Sequence, residues 1–114
     1  MFDLSSVNMR YFEIKLKILV DKIVDEAVTK VEKEILLEIE PPTKKMLNKI
    51  VKLRKEESEN VMDGLYEAVG MILNKNKSGK KISDEIVSAY NYDQINAIIT
   101  AYFEWLSKEK TSPN

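Results

Sequence analysis

The sequence predicts an α+β domain, mostly helical, with a small two-stranded N-terminal element and four or five helices. Between Phe12 and Val20, apolar and charged residues alternate with a period of two. From Thr43 onward, apolar residues recur at three- and four-residue steps, and Pro41-Pro42 separates the two regimes. The 114 residues suffice for one modest core, read as a single globular domain over 10–109 between a flexible N-terminus (1–9) and a flexible tail (110–114).

Residues 1–9, with Ser5, Ser6 and Asn8, are polar. Phe12, Ile14, Leu16, Ile18 and Val20 then alternate with Glu13, Lys15 and Lys17, the pattern of a half-buried strand. From Asp21 the rhythm changes. Ile23, Val24, Ala27, Val28 and Val31 read as the stripe of a short amphipathic helix, against the grain of its β-branched content. No Gly, Asn or Pro between residues 10 and 40 supplies the usual tight hairpin turn. Ile35 to Glu40 reads as a second strand, stopped where Pro41-Pro42 removes backbone donors.

Thr43 is placed to cap a helix whose buried stripe is Met46, Leu47, Ile50 and Val51, with Leu53 at its edge. A third helix is expected from Ser58 to about Asn74, with Val61, Leu65, Ala68, Val69 and Ile72 on one face. Gly64 and Gly70 each cost that helix roughly 1 kcal/mol of propensity and are read as permitting close helix approach. Lys75 to Lys81 is a polar basic loop. Ser83 caps a helix over about 84–90, with Ile82 and Val87 spaced as a hydrophobic staple. Asp93 is read as the cap of the last helix. Along Tyr92 to Leu106, Ile95, Ile98, Ile99, Tyr102 and Leu106 share one stripe, widened by Phe103 and the single Trp, Trp105.

Composition narrows the chemistry. Lys and Arg total 18 against 19 Asp and Glu, so no overall field recruits nucleic acid or an anionic membrane. The chain has no Cys and no His, which removes thiolate catalysis, Cys-ligated zinc, the commonest general base and every His-containing triad. The lack of Cys fits a reducing compartment. No apolar run reaches the roughly 20 residues that span a bilayer, and Met1-Phe2-Asp3-Leu4 lacks the basic flank of a secretion signal.

Candidate sites are few. Gly79-Lys80 suggests a phosphate loop, but such a loop needs Gly where Asn74 stands and Ser or Thr where Lys81 stands. Residues 83–108 resemble a helix-turn-helix only in outline, because the second helix offers Asp93, Gln94 and Asn96 and no basic residue before Lys108. Lys44, Lys45, Lys49, Lys52 and Arg54 make a basic face suited to phosphate or an acidic partner, partly cancelled by Glu56, Glu57, Glu59 and Asp63. The carboxylate pairs Glu32/Glu34, Glu38/Glu40 and Asp84/Glu85 offer nothing to drive their pKa values apart, as acid–base catalysis requires. No EF-hand spacing occurs. The reading is therefore non-enzymatic, without cofactor or metal. Tyr92, Tyr102, Phe103 and Trp105 are the best candidates for partner contact, since aromatic residues are enriched at interfaces. The rival reading is a small nucleic-acid-associated or regulatory protein using the basic face over 44–55.

Several strings occur in a telling order. Tyr11-Phe12-Glu13-Ile14-Lys15-Leu16 opens a strand, and Leu37-Glu38-Ile39-Glu40-Pro41-Pro42-Thr43 leads into the basic helix. Ile72-Leu73-Asn74-Lys75-Asn76-Lys77, Gly79-Lys80-Lys81-Ile82-Ser83 and Ala101-Tyr102-Phe103-Glu104-Trp105-Leu106 follow. This order resembles the small tail assembly chaperones of long-tailed phages and prophages of Gram-positive bacteria, across most of residues 11–106. The resemblance implies a cytoplasmic protein of the bacterial host cell that binds the tape-measure protein, keeps it soluble and helps tail-tube protein assemble around it. Self-association is a further possibility, and some such proteins are also made in a longer, frameshifted form. The resemblance also implies two N-terminal strands joined closely. Here residues 18–34 intervene, read as a helix.

Overall fold

The structure is a computed structural model in which residues 1–55 and 61–108 are described. Asp3 caps a single 3-10 turn at Leu4–Ser6, and residues 1–9 are exposed. Strand β1, Phe12–Val24, and strand β2, Ala27–Ile39, pair antiparallel along their whole length, from Phe12 opposite Ile39 to Val24 opposite Ala27. The helix expected over residues 21–31 is therefore not there. Those residues form the far half of one long hairpin.

Alternation decides the matter. Cross-strand neighbours share a face, so Ile18, Val20 and Val24 continue the side begun by Phe12, while Asp21 and Lys30 meet on the other with Nζ–O at 3.0 Å. The β-branched residues that weakened the helix reading favour this strand. The turn is two residues, Asp25 and Glu26, both at positive φ (51° and 66°). That backbone pattern matches the twist of a hairpin and normally selects Asn-Gly. Asp tolerates it through its short polar side chain, whereas Glu does so at a cost.

After Pro41-Pro42, Thr43 accepts a hydrogen bond from the Met46 N–H at 3.2 Å and starts α1, Lys44–Arg54. Helix α2 is described over Val61–Asn74. Its expected start at Ser58, and the acidic run Glu56, Glu57 and Glu59, lie outside the described residues, as do Glu109 and the tail over 110–114. Helix α3, Asp84–Ser88, is capped by Ser83, with buried Ile82 before the cap and buried Val87 within the helix forming the staple. Helix α4 spans Tyr92–Lys108.

Helix α2 is the hub, touching α1, α3, α4 and β2. The core joins one face of the hairpin's near half (Leu16, Ile18, Ile35, Leu37, Ile39) to Ile50, Ala68, Val69, Ile72, Leu73 and the α4 stripe. At Gly64 an added Cβ would lie 3.0 Å from the Leu53 carbonyl oxygen, so this glycine does permit the close approach of α1 to α2. Gly70 has nothing within 4 Å of that position among the described residues, and the same reading finds no support there.

Residues 75–81 are more organised than a solvated loop. Buried Asn76 donates to the carbonyls of Leu73 and Lys80 at 2.8 and 2.7 Å and accepts from the Lys80 N–H at 2.8 Å. Asn74 likewise bonds both the N–H and the carbonyl of Ile82. The loop then docks on the outer edge of β2: Glu40 N–H donates to the Lys75 carbonyl and Lys77 N–H to the Glu38 carbonyl. Among the described residues, no loop docks in this way on the far half of the hairpin, and the molecule is elongated, 61 × 37 × 22 Å.

Candidate functional site

The aromatic end of α4 is built from its capping outward. Asn91, and not Asp93, caps the helix. Its Oδ1 accepts from the Gln94 N–H at 2.8 Å, and its own N–H donates to Gln94 Oε1 at 2.9 Å, a reciprocal capping box. Asp93 falls in the first turn, where a carboxylate suits the helix dipole. The cap sets the phase that turns Ile95, Ile98, Ile99 and Tyr102 into the core.

Tyr102 is completely buried, so it is a core residue and not a contact for a partner. Its ring meets Phe12 edge-on at 5.8 Å, Phe103 edge-on at 5.7 Å and Trp105 at 5.8 Å. Its hydroxyl is buried without a hydrogen-bond partner among the described residues, and burial pushes its pKa up to about 12.

Phe103 and Trp105 are half-buried at the rim of this cluster. Each carries an arginine on one ring face: the Arg54 guanidinium lies 4.5 Å from the Phe103 centroid and the Arg10 guanidinium 4.3 Å from that of Trp105. Arg10 also donates to the carbonyls of Trp105 and Leu106 at 2.8 and 3.3 Å, closing the C-terminal turn with a cation. Phe12 completes the cluster, 5.7 Å from Trp105. Tyr92 does not join it. Ten residues earlier, it sits about 15 Å away along the helix axis, and it is exposed.

Arg10 and Phe12 were not among the expected contact residues. The signal in the sequence was faint: an Arg two positions before an aromatic that opens a strand, with nothing local to link it to residue 105. The exposed apolar residues of the hairpin were also missed. Leu19, Ile23, Val24, Val28 and Leu36 stand in solvent, with Ile23 at 75% and Val28 at 67% exposure. Reading 21–31 as a helix assigned several of them to a buried stripe.

The basic face divides. Lys49 pairs with Glu67 of α2 at 3.6 Å, and Arg54 is committed to Phe103. Lys44, Lys45 and Lys52 project from the exposed side of α1. An open groove of about 480 Å³ between α2 and α3 is lined by Asp63, Tyr66, Glu67, Asp84, Val87 and Ser88. Among the described residues, no three carboxylates come together as a metal-holding group, and no helix is long and apolar enough to cross a membrane. Compared with protein-family models, curated proteins and solved structures, the chain matches none.

Proposed function

We propose that this chain is a non-enzymatic binding protein, a cytoplasmic tail assembly chaperone of a long-tailed phage or prophage that holds tape-measure and tail-tube proteins during tail morphogenesis. The observation that carries the reading is apolar surface left in water along the projecting hairpin, beside the partly buried aromatic rim of Phe103 and Trp105. Contiguous exposed apolar surface marks places where proteins meet. The strings resembling that family also lie in compatible elements. Tyr11–Leu16 runs into β1, and Leu37–Thr43 carries β2 through the prolines into α1. The two strands are joined by a two-residue turn, which fits the close connection that the resemblance implies.

Phe103 and Trp105 are the proposed contacts, with Tyr92 a separate contact further along α4. The basic face is a weaker basis for a nucleic-acid role, because two of its five cations are already engaged within the fold.

Co-expression with a tape-measure protein followed by pull-down separates the readings. The expected complex survives high salt and weakens in Trp105→Ala, with that variant still folded by circular dichroism. Absence of a complex, together with DNA retention that is lost in salt and in Lys45→Glu, contradicts the proposal, because phosphate-driven binding falls steeply with salt.

A further inference from the structure

The far half of the hairpin poses a physical problem that a second copy of the chain solves. A two-stranded ribbon alone is marginally stable in water, and residues 21–30 are all exposed. The outer edge of β2 is open there. Because Val24 opposite Ala27 closes a two-residue turn, pairs alternate so that Val28, Lys30, Glu32, Glu34 and Leu36 point their N–H and C=O groups away from β1. Glu38 and Glu40 continue the same phase and bond the 75–77 loop. Among the described residues, no backbone partner covers the edge from Val28 to Leu36. The β1 edge is less open, since the Tyr90 hydroxyl donates to the outward Lys17 carbonyl at 3.2 Å.

We propose that two copies join β2 to β2 about a two-fold axis at Val31, making a four-stranded antiparallel sheet. An antiparallel pair of identical strands keeps each residue on its own face, so the possible centres are single residues. A centre at Lys30, Glu32 or Lys33 sets like charges directly opposite, which is unfavourable. A centre at Thr29 opposes Glu26 to Glu32. With the centre at Val31, Lys30 meets the second copy's Glu32 twice over, Val28 meets Glu34, Thr29 meets Lys33, and no like charges face each other.

The charges already in place extend across this seam. Lys30 pairs with Asp21 at 3.0 Å and Glu32 with Lys17 at 3.9 Å, so the joined sheet carries an alternating row Asp21, Lys30, Glu32, Lys17 from one copy to the other. The fit also ends in the right place. In this register Glu26 of one copy falls opposite Leu36 of the other, so each turn stops just short of Glu38, where the 75–77 loop occupies the edge. The seam is distinct from the rim around Trp105: Phe12, which packs on that ring, is about 40 Å along the strand from the turn, and the two surfaces are testable apart.

Sedimentation equilibrium of the intact chain tests the proposal. The wild type is expected to form a dimer. Lys30→Glu and Glu32→Lys, each alone, replace two attractive pairs with two repulsive ones and are expected to weaken it roughly 30-fold. Mixing the two variants restores opposite charges at both positions, so the mixture is expected to regain the dimer as a heterodimer. A variant that had merely lost its fold would not be rescued in this way. A wild-type monomer at every concentration overturns the proposal. So does a dimer indifferent to either charge reversal, or one lost in both variants and not restored on mixing.

Discussion

Tyr102 concentrates the physics of this core into one side chain. Its ring joins β1 to α4 through Phe12 and Trp105, yet its hydroxyl is buried with no hydrogen-bond partner among the described residues. An unsatisfied buried polar group costs stability, and replacing it by an apolar group of the same shape is neutral or favourable. Tyr102→Phe is therefore expected to change stability by between zero and about +1 kcal/mol in urea unfolding, where most core substitutions lose stability. The same hydroxyl adds a pH signature. Its folded pKa, about 12, lies above the ordinary value of 10, so the neutral form is favoured in the folded state. That contribution is full below pH 10 and is lost as pH rises toward 12. Wild type should lose stability more steeply than Tyr102→Phe across that window; parallel curves would contradict the burial argument. From spacing alone, Tyr102 belonged equally to the core stripe and to the aromatic cluster. Only the packing of the whole fold, with Phe12 arriving from ninety residues earlier, buries Tyr102 completely and leaves Phe103 and Trp105 partly exposed.

Elements were legible where local chemistry set their limits. Thr43 and Ser83 act as the caps their positions suggest, and β2 ends at Ile39, one residue short of Pro41-Pro42. The hairpin's far half was not legible, because Ile23, Val24, Ala27, Val28 and Val31 satisfy a helical spacing while their actual partners lie across the ribbon. Its turn gave no help, since Asp25-Glu26 is not a sequence that usually adopts two positive φ angles. The cap of α4 was misplaced by two residues, because Asp93 and Asn91 are both good caps and only Asn91 has Gln94 three residues on to reciprocate. Glycines in α2 looked equivalent and are not. Gly70→Ala is expected to stabilise by about 0.5–1 kcal/mol through helix propensity, there being open space for its Cβ. Gly64→Ala presses a methyl against the Leu53 carbonyl and is expected to destabilise by about 1 kcal/mol despite the same gain. Thermal melts of the two variants should move in opposite directions; equal shifts would remove the close approach of α1 and α2 from the account.

At the scale of the whole molecule, a helical body centred on α2 carries a partly buried aromatic rim around Trp105 and, among the described residues, exposed apolar side chains on the far hairpin with its open β2 edge. The proposed assignment divides work between them, partner capture at the rim and self-association along the edge. The central claim is that the rim meets a partner protein, and the single Trp of the sequence stands in it. Its fluorescence should be followed as purified tape-measure protein, with its own Trp residues replaced, is titrated in at high salt. The account predicts a saturable blue shift as Trp105 leaves water, abolished by competition with unlabelled Trp105→Phe chain. A complex that forms with the Trp105 emission unchanged would contradict it.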